Sequence, residues 1–164
     1  MTKVILGIDP GIADTGFGVI KEERGKLSCL CYGTIKTSAK DNLADRLFFL
    51  HKELSKIIKK YQPQAAAVEQ LFFNKNVKTA LIVGQARGVA ILTLKQGLLP
   101  VLEYTPSQVK QAVSSYGQAS KLQVQKMVKL ILGLKELPKP DDAADALAIA
   151  ICALNSNLCL KPKN

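Results

Sequence analysis

Histidine, tryptophan and acid are what this chain is short of. Its 164 residues hold one His, no Trp and an aromatic fraction of only 5%. The single histidine, His51, falls among the solvent-facing positions of a helical pattern and reads as a surface residue. A Ser-His-Asp or Cys-His mechanism therefore has no support. Cys29, Cys31, Cys152 and Cys159 form no CxxC pair and have no companion His cluster, which argues against zinc. With no secretion signal, they read as reduced packing thiols rather than disulfides. No apolar run approaches the ~18 uncharged residues of a bilayer span, and the N-terminus leads directly into a strand. The expectation is a soluble, cytoplasmic protein with no membrane contact. There is no internal repeat and no linker.

The shortage of acid says more. Thirteen Asp and Glu face twenty-three Lys and Arg, a net charge of +10 that no basic low-complexity tail accounts for. A folded domain with that excess repels itself unless it meets a polyanion, so nucleic acid is the leading class of partner. A hydrophobic fraction of 48% over this length suits one domain. We place it at residues 1–156, with 157–164 as a short polar tail.

The scarce acids fall in telling places. Val4 to Ile8 is an apolar run that ends on Asp9 before a Pro10-Gly11 turn, and a carboxylate inside a buried strand needs a partner or a cation. Gly16-Phe17-Gly18-Val19-Ile20 reads as the return strand, its glycines leaving one face open. Lys26–Thr37 reads as a third strand. Leu43 to Tyr61 has helical periodicity, stopped by Pro63. Ala65 to Gln70 is a short strand that carries Glu69, a second carboxylate at a strand end. The adjacent Phe72 and Phe73 then precede an Asn-rich turn. Neighbouring rings do not both face a core, so one is available to stack on an unpaired base.

Val77 to Lys95 is helical, and Gly84 and Gly88 share one face that suits close packing, within the domain or across a dimer. Val101-Leu102-Glu103-Tyr104 is another strand. Thr105-Pro106-Ser107-Gln108 and Ser120-Lys121-Leu122-Gln123 each carry a capping box that opens a helix. Lys121 sits in a first turn, where the helix dipole disfavours a cation, so it suits a phosphate contact better than stabilisation. Near the end, Asp142 and Asp145 are three apart on one helical face, with Asp141 suited to capping. Ala143, Ala144, Ala146, Ala148 and Ala150 let that helix lie close against a sheet, bringing both acids toward Asp9. Oxygen ligands without His or Cys select Mg²⁺ or Mn²⁺, and paired cations ~4 Å apart serve in-line phosphoryl displacement.

The residues also carry a resemblance. Gly7-Ile8-Asp9-Pro10-Gly11 with Thr15-Gly16-Phe17-Gly18, Val68-Glu69-Gln70, Gly84-Gln85-Ala86-Arg87-Gly88, Gln108-Val109-Lys110-Gln111, Lys121 with Gln123-Val124-Gln125, and Asp142-Ala143-Ala144-Asp145-Ala146 resemble, in order, the RuvC family of Holliday-junction resolvases. The likeness runs from Val4 to about Ala153. It implies an α/β, ribonuclease-H-like fold with a mixed sheet flanked by helices, and a homodimer that nicks opposed strands of four-way junction DNA. It implies Asp9, Glu69, Asp142 and Asp145 as catalytic metal ligands holding two Mg²⁺, with Mn²⁺ as a substitute. Phe72, Lys110 and Lys121 would contact DNA. A branch-migration motor and a junction-binding adaptor, of the RuvB and RuvA type, are the implied partners. In one departure, Ser115 stands where relatives often have glycine.

Other readings of the same residues stand beside this one. The Gly-Ile-Asp-Pro-Gly start also resembles the phosphate loop of actin-like and sugar-kinase ATPases, which need a second lobe that this length does not provide. A ribosomal-RNA-processing nuclease of related fold and a non-catalytic DNA-binding module are the remaining alternatives.

Overall fold

A computed structural model describes residues 2–71 and 77–156. Phe72, Phe73 and the tail 157–164 lie outside the described residues.

The chain opens as an antiparallel meander of β1 (Thr2–Asp9), β2 (Asp14–Glu23) and β3 (Lys26–Lys36). Arg24 and Gly25 turn β2 into β3, both with positive φ (53° and 77°), the pairing whose twist matches that of a two-residue hairpin. Two helical crossovers then extend the sheet in parallel. α1 (Leu43–Tyr61) leads to β4 (Ala65–Glu69), and α2 (Val77–Gln96) leads to β5 (Val101–Tyr104). The sheet order is β3-β2-β1-β4-β5, parallel from β1 through β4 to β5. α3 (Pro106–Ser114), α4 (Lys121–Leu132) and α5 (Asp141–Asn155) complete the chain. Both expected capping boxes are formed, at Thr105 with Gln108 and at Ser120 with Gln123.

The sheet separates two cores. Leu6, Ile8, Ala66 and Val68 face α1 and α2, packing with Leu50, Leu54, Ala86, Ala90 and Leu94. Ile5, Ala65 and Ala67 face the other way, onto α3, α4 and α5. Because side chains alternate along a strand, Asp9 follows Ile5 and Gly7 onto the α5 face, and Glu69 follows Ala65 and Ala67 there. Glycine is required on this face: a Cβ at Gly7 would overlap the Ala146 carbonyl, and one at Gly16 the Asp142 carbonyl. α5 consequently lies directly on β1 and β2.

One expectation is corrected here. His51 is half-buried rather than solvent-facing: its Nδ1 lies 2.9 Å from Thr93 Oγ1, joining α1 to α2. The Thr93 hydroxyl donates to the Val89 carbonyl at 2.7 Å, so its oxygen accepts from His51 and Nδ1 carries the proton. Among the described residues α2 is long and apolar enough to cross a membrane by length and composition alone, with mean hydropathy 1.4 over its most apolar window, but Lys78, Arg87 and Lys95 leave it no uncharged run of ~18 residues. Only 22% of that window is buried. Gly84 and Gly88 belong to this exposed surface, since a Cβ at either would meet nothing within 4 Å. Among the described residues, nothing packs on their face.

Candidate active site

The site sits at the carboxyl ends of β1 and β4, where open α/β sheets place ligands. β1 pairs with β4 through Ile8 opposite Val68, so Asp9 and Glu69 leave adjacent strands at neighbouring levels. Across the other edge of β1, Asp9 is opposite Gly16, whose missing side chain admits the first turn of α5. That approach delivers Asp142 and Asp145. Carboxylate oxygens of Asp9, Asp142 and Asp145 lie within 4.8 Å of one another. Glu69 is not in that closest group, but it lines a cleft of about 200 Å³ with Asp145, Lys110 and Lys121.

The electrostatics are those of a site built for positive charge. Burial, and then the charges of Asp145, Glu69 and Asp142, push the Asp9 carboxyl up to about 8 from its ordinary 3.8, with Lys121 opposing. Burial and Asp145 raise Glu69, against Lys110 and Lys121. Burial also raises Asp145, although the bond to Lys121 pulls it down. Carboxylates forced this close in a half-buried setting favour protonation unless a cation compensates them. An all-carboxylate oxygen set of this kind fits a hard divalent cation.

The cleft is bordered by cations. Lys121 Nζ is 3.1 Å from Asp145 and 3.3 Å from Asp141, and Gln125 Nε2 donates to Asp141 at 2.9 Å. The lysine that sequence reasoning offered as a phosphate contact is thus tied to the acids. Asp141 departs from expectation. Pro140 occupies the capping position, and Asp141 is the first helical residue, with its side chain committed to Lys121 and Gln125. The α3–α4 loop opens on Ser115, whose φ of 58° lies in the left-handed region that favours glycine. Phe72 lies outside the described residues.

Sequence reasoning passed over one further contact. Arg87 of α2 donates from Nε to the backbone carbonyl of Glu69 at 3.3 Å and ion-pairs with Glu103 of β5. Its signal was present: it is the lone charge between Lys78 and Lys95 in an apolar helix, as Asp9 is the lone charge of the apolar run that starts at Val4.

Comparison with known proteins gives the same picture. The family model for the crossover junction endodeoxyribonuclease RuvC matches residues 5–153. The RuvC of Ruminiclostridium cellulolyticum is 56% identical over 154 residues, 94% of this chain and 93% of that protein. The structure of Thermus thermophilus RuvC superposes with a TM-score of 0.86 at 39% identity, covering 93% of each chain. T. thermophilus RuvC in complex with a Holliday junction substrate superposes at 0.85 and 37% identity, over 93% of each chain. The fold is the ribonuclease-H-like arrangement of a mixed five-stranded sheet between two helical layers. Since the matched span takes in every strand and helix that brings the acids together, the chain belongs to the RuvC family of crossover junction endodeoxyribonucleases.

Proposed function

We propose that this chain resolves Holliday junctions by hydrolysing phosphodiester bonds at a centre formed by Asp9, Glu69, Asp142 and Asp145. The observation that carries the reading is the gathering of three carboxylates within 4.8 Å in a chain of net charge +10. Acids so placed repel DNA unless cations intervene. The four side chains would hold Mg²⁺, two per site, with Mn²⁺ able to substitute. When bound, such cations supply Lewis-acid stabilisation of the scissile phosphate and lower the pKa of water. The chain's own residues do the rest. Burial of Asp9 and Glu69 limits competing water, and Lys110 and Lys121 border the cleft on the side from which a phosphate would enter. Lys121, held at Asp145 here, would be free to meet the DNA backbone if cations neutralised the acids. Phe72, three residues beyond Glu69, stacks on a base left unpaired at the crossover, a contact worth about 1–3 kcal/mol that intact duplex offers only after unstacking.

A junction is two-fold symmetric, and paired nicks call for two centres, so the functional unit is a homodimer. α2 supports this, with Val77, Leu81 and Leu92 exposed beside the open glycine face. Sedimentation that found only monomer at micromolar concentration, with and without junction, would count against it. On family likeness alone, a branch-migration motor and adaptor of the RuvB and RuvA type work with it on DNA in the cytoplasm.

The direct test is Asp9→Asn on a four-way junction with a mobile core. Nicking should fall about a thousandfold or more, the several kcal/mol that Lewis-acid stabilisation supplies, while junction binding persists or tightens. An Asp9→Asn protein that cuts at the wild-type rate would remove this acid from the centre.

A further inference from the structure

We infer that Arg87 is a positioning residue for Glu69: it holds the peptide of this acid from the α2 side of the sheet while the carboxylate faces α5. The inference rests on the reading of Glu69 as part of the cation-binding centre.

The side chain of Arg87 is only 20% exposed, and a guanidinium taken that far out of water is costly unless its donors are met. Two acceptors take up two of them. Nε reaches the Glu69 carbonyl at 3.3 Å, and a terminal nitrogen pairs with the Glu103 carboxylate. In the parallel register of β4 and β5, Val68 stands opposite Glu103 and Glu69 opposite Tyr104. One planar fork therefore bridges the carboxyl ends of two strands, where sheet bonding stops one residue later with Gln70 N–H donating to the Tyr104 carbonyl at 2.8 Å. The fork adds to that terminal bond and to the pairing of Val68 with Ile8 of β1 at the end of β4.

The charges that bear on the Glu69 carboxyl are Asp145, Lys110 and Lys121, all on the α3–α5 side. Arg87 touches the backbone instead, so its contribution is placement. It also ties Glu69 to α2, where Gly84 of the open face lies one turn before Arg87, and a rigid shift of that helix would be felt at the acid. Lysine is a poor substitute, because a point ammonium does not reproduce a fork that spans two acceptors.

The experiment compares wild type, Arg87→Ala, Arg87→Lys, Glu103→Gln and, as control, Asp9→Asn. Readouts are junction nicking across a Mg²⁺ titration, junction affinity in EDTA, Mg²⁺ binding by calorimetry without DNA, and thermal unfolding. Arg87→Ala is expected to lower kcat about 10- to 100-fold and to weaken Mg²⁺ binding in the absence of DNA, as loss of a ligand's supporting hydrogen bonds does. Junction affinity should stay within about twofold, since no phosphate contact is removed. Arg87→Lys should recover part of kcat and leave Mg²⁺ binding weakened. Should Arg87→Ala fail to fold, Glu103→Gln decides, because it keeps Arg87 while loosening the fork, and a loss of about threefold or more in kcat is then expected. Wild-type kcat and Mg²⁺ affinity in a folded Arg87→Ala, full recovery of both by Arg87→Lys, or an unchanged Glu103→Gln where Arg87→Ala does not fold, would each overturn the inference. Wild-type cutting by Asp9→Asn would instead strike at the four-acid centre itself.

Discussion

α5 and α2 are both built from small and apolar residues, and the fold treats them oppositely. Ten of the fifteen residues of α5 are buried, against four of the twenty in α2. On α5 the small residues meet strand glycines, with so little room that a Cβ at Gly7 or Gly16 would enter the helix backbone. On α2 the glycines meet nothing within 4 Å among the described residues. A small-residue face thus marks close approach without saying to what. The α5 face is matched by glycines in the same chain and carries acids into the candidate site. The α2 face has no such match among the described residues.

The sharpest way to break the comparison is to add one methyl group to each. Gly16→Ala should cost about 3 kcal/mol or more, because the new carbon meets the backbone of Asp142 rather than a side chain that can turn away. Chemical denaturation reads this directly, and cation affinity should fall with it as α5 is displaced. A fully stable Gly16→Ala would mean that the close approach of α5 is not needed.

A second test uses charge, which strains the α5 end and not the α2 end. An Asp9 carboxyl lifted to about 8 ionises in the unfolded chain near its ordinary 3.8, so folding binds a proton in between. Stability of cation-free protein should therefore fall as pH rises from about 4 to about 8 and level off above, an effect that Asp9→Asn removes. At pH 8, Asp9→Asn should melt several degrees above cation-free wild type, and adding Mg²⁺ should raise wild type by more than the variant. Melting curves that run parallel across this range would show that Asp9 is not under this strain.

The smallest effect belongs to α2. Gly84→Ala should stabilise the isolated chain by up to about 1 kcal/mol through helix propensity, with no clash to oppose it. If a second copy packs on this face, the same change weakens the dimer, and sedimentation across a concentration series separates the two terms. A Gly84→Ala protein that loses stability as a monomer would put this glycine in the same class as Gly16.

Much of this was legible in the residues. The apolar runs ending at Asp9 and Glu69, the capping boxes at Thr105 and Ser120, and the spacing of Asp142 and Asp145 are local patterns, and local patterns follow from backbone geometry that each segment carries with it. Even the meeting of α5 with β1 was readable, because alanines on a helix and glycines on a strand are complementary in size. Contacts that depend on where distant segments come to rest were decided only by the tertiary structure. It turned His51 inward onto Thr93, brought Lys121 onto Asp141 and Asp145, and set Arg87 across the ends of β4 and β5. A long polar side chain reads alike in sequence whether it meets water or a partner, and its partner exists only once the sheet and its two helical layers have assembled.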